Sequence, residues 1–107
     1  MRIIIYTSAR AHSINDDEIR ETIEYPYIRY RTQSRIQPDA ETYVYIGGPD
    51  GGPWIEVAGE QFRDEIHVFH AMLLTRRVAV EAYLFTGETI SLLDDIVGQR
   101  DQRPREE

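Results

Sequence analysis

Seven residues, Gly47-Gly48-Pro49-Asp50-Gly51-Gly52-Pro53, interrupt two stretches suited to strands. Glycine and proline at this density end any regular element. Thr42-Tyr43-Val44-Tyr45-Ile46 on one side and Trp54-Ile55-Glu56-Val57-Ala58-Gly59 on the other are rich in β-branched and aromatic residues. The chain must therefore turn back on itself here, and the break reads as a long hairpin turn. It lacks the Gly-Lys-Ser/Thr ending of a phosphate loop and opens no helix, and its two prolines supply no backbone donors. A nucleotide site is not expected there.

The remaining elements follow from the same kind of signal. Met1 to Tyr6 is rich in isoleucine and suits a first strand. Asn15 is placed to cap a helix, with Glu18 three residues on and Ile14 and Ile19 as a hydrophobic staple. Ile19, Thr22 and Ile23 make its apolar stripe, and Pro26 stops it near Tyr25. Tyr27 to Thr32 alternates as a strand does. The polar stretch from Gln33 to Glu41 carries a turn signal at Pro38-Asp39, and Glu65 to Leu74 forms a further strand. Thr75 is placed to cap a helix reaching about Phe85, with Val78, Ala82 and Phe85 or Leu84 facing inward and Gly87 ending it. A second short helix is expected from about Thr89 to Val97, stopped by Gly98. The predicted fold is α+β: a small antiparallel sheet of four to five strands, with an N-terminal helix and one or two C-terminal helices covering one face. Residues 1–98 form a single domain, and residues 99–107 read as a flexible tail.

Composition narrows the function. The chain has no cysteine, which excludes disulfides and thiolate metal sites. No apolar run approaches the roughly 20 residues that span a bilayer, and Met1 to Tyr6 is too short for a signal-peptide core. The expected location is cytoplasmic, with no membrane partner. The net charge of −7 opposes generic attraction to nucleic acid. All twelve cations are arginines, which suits bidentate phosphate recognition and equally suits a GC-rich coding sequence. The acids of Asp16 to Glu24 read as a solvated helix face. Arg29 and Arg31, interleaved with tyrosines, form a basic stretch that precedes Tyr43 and Tyr45.

Chemistry concentrates in Ile66 to Arg77, a strand that runs into a helix. Alternation puts Ile66, Val68, His70 and Met72 on one face and His67, Phe69 and Ala71 on the other. His67 and His70 then point apart, and no third ligand is near, so no metal site is expected. A core histidine bonded to backbone is the plainer reading of His70. Its company favours more: Arg76 and Arg77 follow one capping residue later, and His12 precedes the first helix. Histidine transfers protons near neutral pH, and arginine holds phosphate. Cleavage of RNA by its own 2′-hydroxyl needs such groups and no cofactor. Arg29, Arg31, Tyr43 and Tyr45 suit an RNA-binding surface of stacking and charged groups, although tyrosine also fills half-exposed sheet positions.

Ala11-His12-Ser13-Ile14, followed by Ile19, Ile23 and Pro26, resembles the N-terminal helix region of BrnT-like toxins of bacterial toxin–antitoxin systems. His70-Ala71-Met72, with Arg77 further on, resembles the His-Ala-Met-Pro-Ala-Arg strand end of a related group of small actinobacterial proteins. The resemblance covers about residues 9 to 84. It implies a RelE-like fold and a metal-independent ribonuclease that blocks translation. It also implies a cognate, DNA-binding antitoxin as partner, with a homo-oligomer or a toxin–antitoxin hetero-oligomer as the assemblies this allows. Carried over, His12 is the helix-entry histidine, His70 the strand histidine and Arg77 the basic residue on the following helix. Arg76 stands in beside Thr75, where the pattern has arginine. Ser13 replaces glycine, Leu73-Leu74 replaces Pro-Ala, and the chain is acidic where these toxins are usually basic. A non-catalytic protein-binding module on the same scaffold is the alternative.

Overall fold

The computed structural model describes residues 1–33, 40–48, 52–97 and 99. In chain order it has β1 (Arg2–Ile5), a 3-10 turn (Thr7–Arg10), α1 (Asp16–Glu24), β2 (Ile28–Gln33), β3 (Glu41–Gly47), β4 (Ile55–Phe62), β5 (Glu65–Leu73) and α2 (Arg76–Phe85). The fold is α+β. The turn at Pro38-Asp39, the stop at Gly98 and residues 49–51 of the glycine-rich loop lie outside the described residues.

Both helix starts form as the sequence predicts. The Asn15 side chain accepts the Glu18 N–H at 2.8 Å, and the Glu18 carboxylate accepts the Asn15 N–H at 3.1 Å. Ile14, Ile19, Thr22 and Ile23 are buried. At α2, the Thr75 hydroxyl accepts the Val78 N–H at 3.4 Å. Ala79 and Ala82 are its buried residues, whereas Leu84 and Phe85 are exposed, so the inward stripe is narrower than expected. Gly87, with φ +69°, donates its N–H to Leu84 just past the helix end. The expected second C-terminal helix is absent among the described residues. Only turn bonds form there, such as Asp95 N–H to Leu92 O and Gln99 N–H to Ile96 O. Gln99 is no part of a free tail either: it is buried, and its side-chain oxygen accepts the Trp54 N–H at 2.8 Å. Residues 100–107 lie outside the described residues.

The sheet order is β1-β5-β4-β3-β2. The last four strands form the expected antiparallel meander, but β1 pairs with β5 in parallel, so the sheet is mixed. The reason is topological. β2 lies at the opposite edge of the sheet from β1, and the connection between them crosses one face as α1. Running parallel to β5 brings β1 out at the end of the sheet where β2 begins.

The helices cover both faces rather than one. On the first face, Ile14, Ile19 and Ile23 pack with Tyr45, Ile55, Val57, Ile66, Val68 and Ala71. On the second, Leu74, Ala79, Ala82 and Leu92 pack with Ile28, Tyr30, Val44 and Ile46. The meander strands are apolar on both sides near their centres, so a single helical layer would leave one side wet.

β5 departs from strict alternation, and the site depends on it. Neighbouring residues Ala58 and Gly59 on β4 pair with His70 and Val68, which leaves Phe69 as an extra residue, a β-bulge. Before the bulge, His67 pairs with Glu60; after it, His70 pairs with Ala58 and Met72 with Glu56. Glu56, Ala58 and Glu60 share one face of β4, so His67, His70 and Met72 share that face too. The expectation that the two histidines point apart fails at this one inserted residue. Ile66, Val68 and Ala71 take the core side together.

Candidate acid–base site

α2 covers only part of the second sheet face. Beside it a cavity of about 750 Å³ opens, lined among others by Tyr6, Thr42, Glu56, Glu60, His67, His70, Thr75, Arg77 and Glu81.

His70 is held from beneath. Its Nε2 lies 2.8 Å from Glu56 Oε2. Glu56 is buried, its side chain only 4% exposed, while the His70 side chain is 37% exposed. The other carboxylate oxygen, Oε1, accepts both the Thr75 N–H and the Thr75 hydroxyl, each at 2.7 Å. An acid buried without such partners would be strongly disfavoured. Here three donors and the positive end of α2 stabilise the carboxylate. A carboxylate can only accept, so His70 donates through Nε2–H. The lone pair of Nδ1 is then the basic site of the neutral ring.

His12 reaches the same place from another element. After β1 the chain runs along the free edge of β5: Tyr6 N–H bonds Val68 O at 2.8 Å, and the Ser8 hydroxyl bonds Phe69 O at 2.7 Å. This path brings the His12 ring to 6.3 Å from the His70 ring, centroid to centroid. Arg10 fastens the loop to the start of α1 through two bonds to Asp16, at 2.9 and 3.0 Å. The pair lowers the Asp16 carboxyl below its ordinary range, chiefly through the Arg10 hydrogen bond, and raises Arg10. Ser13 follows with φ +63°, a left-handed conformation that glycine adopts most readily.

Tyr6 and His67, which also line the cavity, belong to a second hydrogen-bonded chain that ends on Glu65 outside it. His67 Nε2 lies 3.1 Å from Glu65 Oε1, and His67 Nδ1 lies 2.7 Å from the Tyr6 hydroxyl. With Nε2–H donated to the carboxylate, Nδ1 accepts from the Tyr6 O–H.

The other predicted residues divide. Arg77 lines the cavity and pairs with Glu81 at 3.5 Å, while the Tyr30 hydroxyl donates to Glu81 at 2.8 Å. Arg76 is exposed and does not line the cavity. Arg29, Arg31, Tyr43 and Tyr45 sit on the opposite face of the sheet: Arg29 pairs with Tyr45, Arg31 with Tyr43, and both tyrosines pack on the first core. The Arg29 guanidinium stands 4.1 Å from the Tyr43 ring centre, a cation–π stack. These four residues do not border His70.

Sequence reasoning missed Glu56, Glu65 and Tyr6, and placed His67 on the wrong face. Glu56 left one signal, an acid between Ile55 and Val57 in an otherwise apolar strand. The others depend on the bulge and on the parallel pairing of β1. Among the described residues no group of three or more histidine, cysteine or acidic side chains could hold a metal ion. None of their helices is long and apolar enough to cross a membrane.

Fold and site together define an α+β domain with a histidine–carboxylate cavity on one sheet face. Comparisons with protein-family models, with curated proteins and with solved structures find no match.

Proposed function

We propose that this chain is a metal-independent endoribonuclease of the toxin type, a RelE- and BrnT-like protein that acts on RNA in the cytoplasm and is held inactive by a cognate DNA-binding antitoxin. The observation that carries the reading is the meeting of His12 and His70, 6.3 Å apart, beside the cavity that Arg77 lines. In this reaction His70 Nδ1 takes the proton of a ribose 2′-hydroxyl. The 2′-oxygen attacks the adjacent phosphorus, and Arg77 offsets the charge that grows on the phosphoryl oxygens. Protonated His12 gives its proton to the departing 5′-oxygen, leaving a 2′,3′-cyclic phosphate. Glu56 stabilises the imidazolium that His70 becomes and keeps its ring in the required tautomer. The left-handed backbone at Ser13, where the resembling pattern has glycine, supports the family reading.

The direct test is expression in a bacterial host. The wild type should arrest growth, and His70→Ala should relieve the arrest. Unimpaired growth with intact cellular RNA would overturn the reading.

A non-catalytic protein-binding module is the second reading. Val80, Leu84 and Phe85 are exposed apolar residues on α2, and the chain is acidic. A module of this kind binds RNA weakly or with no salt dependence, whereas phosphate recognition weakens steeply with salt.

A further inference from the structure

Tyr6, His67 and Glu65 form a chain of bonds that the reaction at His12 and His70 leaves unused. The Tyr6 hydroxyl stands 2.7 Å from His67 Nδ1, and His67 Nε2 stands 3.1 Å from Glu65 Oε1. A carboxylate only accepts, so His67 donates through Nε2–H and Nδ1 takes the Tyr6 O–H. The imidazole is held on both sides: Tyr6 and Phe62 meet it edge to face, at 5.6 and 5.0 Å between ring centroids. The Tyr6 backbone is fixed in turn by its N–H bond to Val68 O. A hydroxyl bonded to a base, with the base oriented by an acid, is the arrangement that activates a nucleophile. The chain has neither cysteine nor lysine to fill that role.

We infer that Tyr6 is the nucleophile of a second catalytic site, one that takes the acyl group of neutral carboxylic esters. The site goes beyond the ribonuclease reading and does not depend on it. Tyr6 Oη bonds to the ester carbonyl carbon while His67 Nδ1 takes the phenolic proton, and Glu65 stabilises the imidazolium. The C–O bond to the leaving alcohol breaks, and His67 returns the proton to the alcohol oxygen. Water then attacks the acyl-tyrosine with His67 again as base. The carboxylic acid leaves, and Tyr6 regains its proton. Three observations select the substrate class. Tyr6 is 46% exposed, so an ester can approach it. Tyr6 and His67 line the cavity together with Val44, Ala58, Phe69 and Met72, an apolar wall for the acyl chain. Glu60 pairs with His67 across the sheet, so carboxylates flank the imidazole from β4 and from β5 itself. Arg2, 3.5 Å from Glu65, offsets only one of the two. An anionic ester meets net repulsion there, and a neutral one does not.

The test incubates the intact protein with p-nitrophenyl butyrate and follows both nitrophenolate release and the mass of each tyrosine-containing peptide. Tyr25 and Tyr27 are internal controls. They are more exposed than Tyr6, at 77% and 57%, and among the described residues only the Tyr6 hydroxyl bonds to a histidine. Butyryl should appear on Tyr6 about 10²-fold faster than on either control, and His67→Phe, which keeps a ring between Tyr6 and Phe62, should remove that lead. The anionic ester of matching length, p-nitrophenyl hemisuccinate, should react with Tyr6 about fivefold more slowly. The comparison among tyrosines of the wild type needs no variant to fold. Butyryl on Tyr6 no faster than on Tyr25 or Tyr27, a Tyr6 rate unchanged in His67→Phe, or equal reaction of the two esters would each overturn the inference.

Discussion

On the ribonuclease reading, Glu56 acts through another residue. Its Oε1 accepts twice from Thr75, so in Glu56→Gln the amide oxygen must stay there and the amide nitrogen must face His70. That nitrogen donates, so His70 would have to accept through Nε2 and carry its proton on Nδ1. The basic lone pair would be gone from the side that serves the substrate. A wrong tautomer of this kind costs about 10³-fold or more in kcat. Glu56→Gln should therefore lose turnover with little change in KM, and urea unfolding should move by only about 1 kcal/mol. Loss of KM alone would contradict the role. Tyr30 gives a second test at this scale. Burial first, then its bond to Glu81, raises its phenol above the ordinary value of 10.0. The unfolded chain then loses this proton before the folded one does. Stability present below the unfolded value falls as pH rises past it. Urea unfolding between roughly pH 9 and 11 should fall more steeply for the wild type than for Tyr30→Phe. Parallel curves would contradict this.

Elements were legible where local signals decide them. The capping box at Asn15 and the cap at Thr75 are short-range chemistry and both form, and β3 and β4, on either side of the glycine-rich stretch, pair antiparallel as expected. Alternation failed on β5 because a bulge is set by pairing with β4, not by the residues of β5 alone. Gly59 sits at that shift. A Cβ there would stand 2.9 Å from Ile66 Cγ2 and 3.2 Å from the His67 carbonyl oxygen. The tightness against neighbouring backbone leaves little room to yield. Gly59→Ala should destabilise by about 1–3 kcal/mol. The midpoint should fall by about 4–8 °C for each kcal/mol, as read by calorimetry. An unchanged midpoint would show that the bulge relaxes freely.

At the scale of the molecule, strand order decided what sequence could not. His12 and His70 are candidates by residue type, but their meeting depends on β1 joining the far edge of β5. The same assembly separates Arg29, Arg31, Tyr43 and Tyr45 from His70 by the thickness of the sheet, which no spacing reveals. Second-face coverage by α2 was likewise hidden, because strands apolar on both sides look alike whichever side is covered first. What the sequence offered was the inventory: two histidines, two arginines and a cap. The sheet brings His12 beside His70, places His70, Arg77 and Glu56 together in the cavity lining, and leaves Arg76 outside that lining. The central claim is that these groups cleave RNA without a metal. The measurement is incubation of purified protein with single-stranded RNA in excess chelator. The wild type should release fragments ending in 2′,3′-cyclic phosphate, and His12→Ala and His70→Ala should each slow release about 10²-fold or more. RNA left intact by the wild type, or cleaved equally by the two variants, would contradict it.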